Sequence, residues 1–456
     1  MRLDRRRFIA GTLTSAVAAR GALAATTTKP PETPPPAPAG SVKPSTGPTP
    51  GSGPDPALAS WPAIRDQFLL DRSHVQMALM LFASHPRPVR EAIERHRRAL
   101  DENPVLYLEA NFKLDTAARE AAAAYVGGKP DEIALTGNTT TGLATLYGAL
   151  PLRPQQEILT TTHDHYVTFE SLRLRAQRTG AKVRRVPLYA APAKATEDEI
   201  VSNLVKAVGP RTRIVAVTWV HSSTGVKLPI RRMADALGEI NRKRAESDRA
   251  LLCVDGVHAF GVEHEPVGEL GCDFLVAGCH KWLFGPRGTG MVWGRTDAWK
   301  GTSGIIPCFE WAALEAWMHG KNPDDVVAGG PRTSPGGFQV YEHRWALPEA
   351  FQFHQRIGKE RISARIHELG TRCKQGLASI PKVKLHTPMS EALSAGITCF
   401  EVDGLKPKEV VERLLARKIV ASNSPYLTSY VRLTPGILNT PEEVDRAVAE
   451  VKALAT

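Results

Sequence analysis

Several things are scarce in this sequence, and each scarcity narrows what the chain can be. No stretch is long and apolar enough for a stable membrane span. Only six cysteines occur (Cys253, Cys272, Cys279, Cys308, Cys373 and Cys399), with no CxxC pair, which argues against a disulfide scaffold. Cys253 and Cys399 lie inside apolar runs, where cysteine behaves as a small hydrophobe. Aromatic residues make up 6% of the chain, and no dense Lys/Arg block is interleaved with them, so nucleic-acid binding is disfavoured. Internal repeats are absent. What remains, at 42% hydrophobic and 23% charged over 456 residues, is the composition of an ordinary globular protein with room for two or three domains. The formal net charge is +11. Residues 1–24 hold five arginines and one aspartate, so the remainder carries +7, an excess suited to anionic ligands.

The amino terminus reads as an address followed by a tether. Arg5-Arg6-Arg7-Phe8-Ile9, an Ala-rich apolar stretch and Ala22-Leu23-Ala24 resemble a twin-arginine signal with its cleavage site. A chain so marked is expected to engage the twin-arginine export machinery and to be periplasmic or secreted after signal removal. Residues 25–60 contain eleven prolines among Thr, Ala, Gly and Ser, the pattern of a disordered linker. The expected organisation is a signal at 1–24, a linker at 25–60, a large domain at 61–330 and a small C-terminal domain at 331–456.

From residue 61 helical and strand periodicities alternate. Helices are predicted at 89–100, 114–126, 143–150, 167–178, 197–208 and 230–244. Strands are predicted at 132–135, 157–161, 182–187, 213–219, 251–254 and 273–277. The alternation implies an α/β fold with a large, mostly parallel sheet. Segment 301–340 reads as irregular and is followed by one long helix from 341 to about 379. Strands at 397–402, 418–422 and 430–434 with helices at 407–416 and 441–454 then suggest a smaller C-terminal α+β domain.

Polar residues cluster where the predicted strands end. Leu251 to Val254 runs into Asp255 and His258, and the next strand runs into His280 and Lys281 before the Gly-rich Gly285-Pro-Arg-Gly-Thr-Gly290. Open α/β sheets bind ligands at the carboxyl ends of their strands. An acid, an imidazole and a lysine converging there suit a cofactor with a basic ring nitrogen and an aldehyde, and pyridoxal 5'-phosphate has both. Upstream, Thr136-Gly-Asn-Thr-Thr-Thr-Gly142 forms a strand–turn–helix junction whose free N–H groups make an anion site. Further clusters, His163-Asp-His-Tyr166 and His221-Ser-Ser-Thr-Gly225, follow two more strands.

With these motifs in hand, residues 75–450 resemble the class V aminotransferase family of fold-type I pyridoxal-phosphate enzymes, in the branch that holds isopenicillin N epimerase-like proteins and cysteine desulfurases. The resemblance implies a fold-type I architecture with a smaller C-terminal domain, and a homodimer. It assigns Lys281 as the Schiff-base lysine, Asp255 as the partner of the ring nitrogen and His258 as a neighbour of the ring's phenolic oxygen. Asn138, Thr139, Thr140 and His280 would form the phosphate cup, and Ser222 a second partner of the phenolic oxygen. His165 or Tyr166 would stack on the ring. Arg432 would clamp the carboxylate of a small amino-acid-like substrate, a role suited to a planar guanidinium. Arg344, in segment 333–345, would contact the anionic groups of the neighbouring subunit's site. The expected activity is transamination or epimerisation at an amino acid's α-carbon, with C–S or other β-elimination as the alternative.

Two departures from the family stand out. Relatives carry an Asn-rich segment near the substrate where this chain has Met77-Ala-Leu-Met-Leu-Phe-Ala-Ser-His85. Desulfurases need a nucleophilic cysteine ahead of the substrate arginine, and none lies between Cys399 and Arg432. A metallohydrolase using His163, His165, Asp255 and His258, or a non-catalytic exported binding protein, would leave Lys281 and the Gly-rich turn unexplained.

Overall fold

The β-branched and aliphatic runs at 212–218, 251–255 and 274–278 become the centre of a seven-stranded sheet. The computed structural model describes residues 55–327 and 329–455, which belong to one compact unit. Its strands are β1 (Val75–Gln76), β2 (Ile133–Thr136), β3 (Glu157–Thr161), β4 (Lys182–Val186), β5 (Thr212–Thr218), β6 (Leu251–Asp255), β7 (Phe274–Gly278), β8 (Gly290–Gly294), β9 (Val383–Leu385), β10 (Thr398–Val402), β11 (Ile419–Val420), β12 (Ser422–Asn423) and β13 (Val431–Leu433). The large sheet has the order β2-β8-β7-β6-β5-β3-β4. Every pairing in it is parallel except those of β8, which is antiparallel to both β2 and β7.

Strands β2, β5, β6, β7 and β8 are buried at every residue. Helices cover both faces, which is why these strands read as unbroken apolar runs instead of alternating. At the edge, β4 presents Lys182, Arg184 and Arg185, charges that discourage pairing with another sheet. The chain runs outward from β3 to β4 and then returns to β5 on the other side of β3. The loops after β3 and β5 therefore part, leaving a crevice at the carboxyl ends of the strands.

A second core forms around a four-stranded antiparallel sheet of order β12-β13-β10-β9, with Phe400, Val431, Leu433, Val444 and Val451 inside it. Strand β1 pairs with β11, so Val75 and Met77 also belong to this core. The large domain was expected to end near 330, yet Leu347, Phe351, Phe353 and Ile357 pack into the core of the large sheet. Helix Lys359–Ala378 passes from one core to the other, with Ile362 and Ile366 in the first and Leu369, Cys373 and Leu377 in the second.

The single long helix predicted from 341 is three: Tyr341–Arg344, Leu347–Ile357 and Lys359–Ala378. Gly358, at φ +97°, makes the last break, a conformation open to glycine and strained for other residues. Strand β8 was not foreseen because its first residue, Gly290, is the last of the Gly-rich turn and only Met291, Val292 and Trp293 stand before the next glycine. The segment expected to be irregular, 301–340, contains helix Trp311–Met318. Within the predicted linker, Pro56–Leu58 forms a turn capped by Asp55, and Leu58 is buried. The predicted signal at 1–24 and linker residues 25–54 lie outside the described residues. No helix among the described residues is long and apolar enough to cross a membrane.

Candidate active site

Five strand ends and one strand of the smaller sheet converge on a cavity of ≈ 600 Å³. Its wall includes Asn138, Thr139, Thr140, His165, Ser222, Asp255, His258, His280, Lys281 and Arg432. Ten of the twelve side chains nominated from the sequence therefore meet in one place.

At the end of β6, Asp255 sits in register between Thr218 of β5 and Val276 of β7. Its Oδ1 accepts the Val257 N–H at 3.0 Å. Burial pushes its carboxyl up to about 7, opposed by that hydrogen bond and by the Lys281 amine. A cation set against Asp255 would restore its charged form. Lys281 follows β7, and burial lowers its amine to about 8, with Asp255 pulling the other way and Arg432 adding to the drop. An amine so lowered has a far larger unprotonated fraction near neutral pH than an ordinary lysine, and the unprotonated form is the nucleophile.

The anion end is built by the start of helix Thr139–Ala149. Asn138 caps it: its Oδ1 accepts the Thr141 N–H at 2.9 Å and Thr141 Oγ1 accepts the Asn138 N–H at 3.1 Å. The N–H groups of Thr139 and Thr140 have no acceptor within the helix. Thr139 Oγ1 and His280 Nδ1 are buried with no hydrogen-bond partner. A Cβ on Gly278 would lie 3.0 Å from both His280 Cε1 and Thr139 Oγ1, so a glycine keeps this corner open. Vacant donors at a helix N-terminus fit a phosphate.

Between the anion end and the smaller sheet stand three histidine and serine side chains. His165 is the N-cap of helix Tyr166–Thr179, and its Nδ1 accepts the Val167 N–H at 3.3 Å. Burial and the charges of Lys281 and Arg432 lower its ring pKa. His258 is buried, its Nδ1 is unpartnered, and burial holds it well below its usual pKa, so its ring is neutral. Ser222 Oγ bonds the Tyr426 hydroxyl at 2.8 Å. Arg432, on β13, donates from Nε to Ser422 Oγ at 3.2 Å, from Nη1 to the Ser222 carbonyl at 3.0 Å and from Nη2 to the Asn423 carbonyl at 3.0 Å. A guanidinium has about five N–H donors. Those three bonds therefore leave two for a carboxylate.

Two nominated residues stand elsewhere. Tyr166 is the first residue of its helix and is 66% exposed, so the ring on the cavity wall is that of His165. Arg344 does not line the cavity in its own chain. It pairs with Asp115 at 2.9 Å and borders a small recess behind the anion end with Thr136, Gly288 and Gly290. The metallohydrolase set fails as a ligand set: no group of three or more His, Cys, Asp or Glu among the described residues could hold a metal ion. His163 instead stacks on Tyr189, centroids 3.9 Å apart.

Sequence reading missed Thr141 and Thr218, which line the cavity, and Tyr426, which reaches it through Ser222. It also gave no contact to Leu81, Phe82 and Pro425 on the same wall. The unusual apolar segment at 77–85 was the one signal for the first two. Residues 425 and 426 lie in a loop between strands, where nothing in the sequence marks them.

A phosphate cup, an acid aligned for a ring nitrogen, a lysine amine of lowered pKa and a carboxylate clamp define a pyridoxal-phosphate enzyme of fold-type I. The chain belongs to the aminotransferase class-V family, which matches residues 106–446. It is 28% identical over 408 residues to the isopenicillin N epimerase of Streptomyces clavuligerus, covering 87% of this chain and 99% of that one. It is also 28% identical to a probable cysteine desulfurase of Mycolicibacterium paratuberculosis over 74% of this chain and 48% of the relative. Among solved structures, the cystine C–S lyase C-DES bound to its product cysteine persulfide superposes with a TM-score of 0.74 at 23% identity, covering 84% and 98% of the two chains. The apo cysteine desulfurase of Thermococcus onnurineus gives 0.73 at 21%, covering 86% and 97%. These likenesses establish the fold, and the family makes the cofactor pyridoxal 5'-phosphate.

Proposed function

We propose that this enzyme acts at the α-carbon of a small amino acid as an epimerase or aminotransferase. The observation that carries this is the Lys281 amine, lowered to about 8 and placed with Arg432 on the wall of one cavity. Bound pyridoxal phosphate supplies an electron-accepting ring that makes an α-proton removable. The chain supplies the rest. Arg432 binds the substrate carboxylate, Lys281 takes the α-proton, and Asp255 holds a proton on the ring nitrogen. His165 and His258, both neutral, orient the ring without competing for charge. Ser222 Oγ and the Tyr426 hydroxyl, 2.8 Å apart, form a second proton-carrying site beside the cavity. A two-base epimerisation uses such a second site to return the proton on the other face.

Desulfuration through an enzyme persulfide is disfavoured. All six cysteines are buried, and none lines the cavity. The loop before Arg432 brings Pro425 and Tyr426 to the site instead.

The test is to incubate the cofactor-loaded enzyme with L- and D-amino acids in D2O. Deuterium at the α-carbon with inversion marks epimerisation, and a 2-oxo acid that keeps the substrate's own side chain, formed with the pyridoxamine form of the cofactor, marks transamination. Pyruvate with ammonium or sulfide, and neither of the first two products, would make β-elimination the activity and overturn the reading. Export after folding belongs to the same proposal and is tested by fractionation of cells making the full chain. A homodimer does too: apolar side chains such as Phe309, Trp311 and Phe338 are exposed, and light scattering would report the mass.

A further inference from the structure

We infer that the substrate's side chain is apolar, received by Leu81, Phe82 and Pro425. This rests on the proposed function and names the substrate class of that site. The Asp, Glu, Lys and Arg side chains among the described residues of the cavity wall are three: Asp255, Lys281 and Arg432. Each is committed, to the ring nitrogen, to the reacting carbon and to the substrate carboxylate. The remaining polar wall is the phosphate cup and the groups around the ring. A charged substrate side chain would therefore find no opposite charge left free on this wall.

What is left uncommitted is hydrocarbon. Leu81 and Phe82 are 46% and 56% exposed while their neighbours Met77 and Met80 are buried, so the segment turns its last two large apolar side chains outward at the cavity. The segment is fixed at both ends. The Met77 carbonyl accepts the Thr434 N–H at 2.9 Å and Thr434 Oγ1 at 2.8 Å, just beyond Arg432. At the other end the Ala83 N–H donates to the His280 carbonyl at 3.2 Å, beside Lys281. The wall is thus tied to the carboxylate clamp and to the reactive lysine together. The Arg287 guanidinium lies over the Phe82 ring, 4.7 Å from its centroid, where it supports the ring from outside the cavity wall.

The test measures equilibrium binding to the cofactor-loaded enzyme by calorimetry and cofactor absorbance. The probes are α-methyl amino acids, which have no α-proton to be removed: α-methylalanine, which is achiral, and both configurations of the α-methyl forms of norvaline, leucine, phenylalanine, glutamate and lysine. Affinity is expected to rise about fourfold for each added methylene. The leucine and phenylalanine forms should bind at least tenfold more tightly than those of glutamate and lysine. In Leu81→Asn and Phe82→Asn the leucine-to-alanine affinity ratio should fall severalfold. A glutamate or lysine form binding as tightly as the leucine form overturns the inference, as does a ratio unmoved in both variants; glutamate capture abolished by Arg287→Ala would locate the missed partner. Protein that carries no borohydride-fixable cofactor on Lys281 overturns the underlying reading as well, so the two failures are distinguishable.

Discussion

Two lysines in this molecule are buried in protein and lowered to about 8 by that burial, yet they are set up for opposite purposes. Lys374, in the helix that joins the two cores, is 2% exposed. Its amine donates to the carbonyls of Pro388 at 3.1 Å and Met389 at 2.9 Å and to Ser394 Oγ at 2.6 Å. An ammonium has about three donors, so all of Lys374's are used. Lys281 faces a cavity, and no hydrogen bond to its amine forms among the described residues; its nearby charges are Asp255 and Arg432, one favourable and one not. A satisfied buried amine holds structure, whereas an unsatisfied one is held ready to bond to something else. The same lowered pKa accompanies both, so the shift alone identifies neither. The hydrogen-bond inventory does.

The largest expected difference is chemical. Lys281→Ala should lower turnover about a thousandfold or more and abolish borohydride fixation of the cofactor, while the melting temperature stays level or rises. Lys374→Met should do the reverse. It leaves two carbonyls without a donor and should cost about 1–3 kcal/mol of stability, read by denaturant titration, with the cofactor still fixed on Lys281. If Lys374→Met lost the cofactor, or Lys281→Ala unfolded the protein, the contrast would be broken.

Titration sharpens it. Capture of pyridoxal phosphate by the apoprotein needs the unprotonated Lys281 amine, so the rate should climb tenfold per pH unit below about 8 and level off above it. Lys374 should act on stability instead. Between about 8 and its ordinary 10.5 the unfolded chain binds more protons than the folded one, so its contribution to stability rises with pH across that window. The stability of wild type relative to Lys374→Met should rise over the same range, and the capture profile should not move in that variant. Smallest of all, Tyr166→Ala should change stability by no more than about 0.5 kcal/mol and leave the cofactor spectrum alone, whereas His165→Ala should shift the spectrum.

Much of the site was legible because parallel strands put their ends on one edge. Asp255 and Lys281 each come after a fully apolar run, and such runs lie in the middle of a covered sheet. The Thr-rich turn was legible for a related reason, since a strand leading directly into a helix exposes free N–H groups. The choice between His165 and Tyr166 was not legible. Both stand at a helix start, and one residue of helical phase decides which faces the cavity. Nor was the end of the large domain, because helix Lys359–Ala378 contributes to both cores and its periodicity never changes.

The sequence by itself determined the sheet, the positions of the acid, the lysine and the anion turn, and through them the cofactor. These are consequences of local pattern: apolar runs make strands, and the polar residues next in the chain emerge at the strand ends. Tertiary structure alone decided what meets the substrate. Leu81 and Phe82 come from a segment that β1 ties to β11, Arg432 from β13, Ser222 from the loop after β5, and Tyr426 from a loop between strands. They are as much as 351 positions apart (Leu81 to Arg432), so no periodicity in the chain records their contact, and only the packing of the two cores against one cavity brings them together.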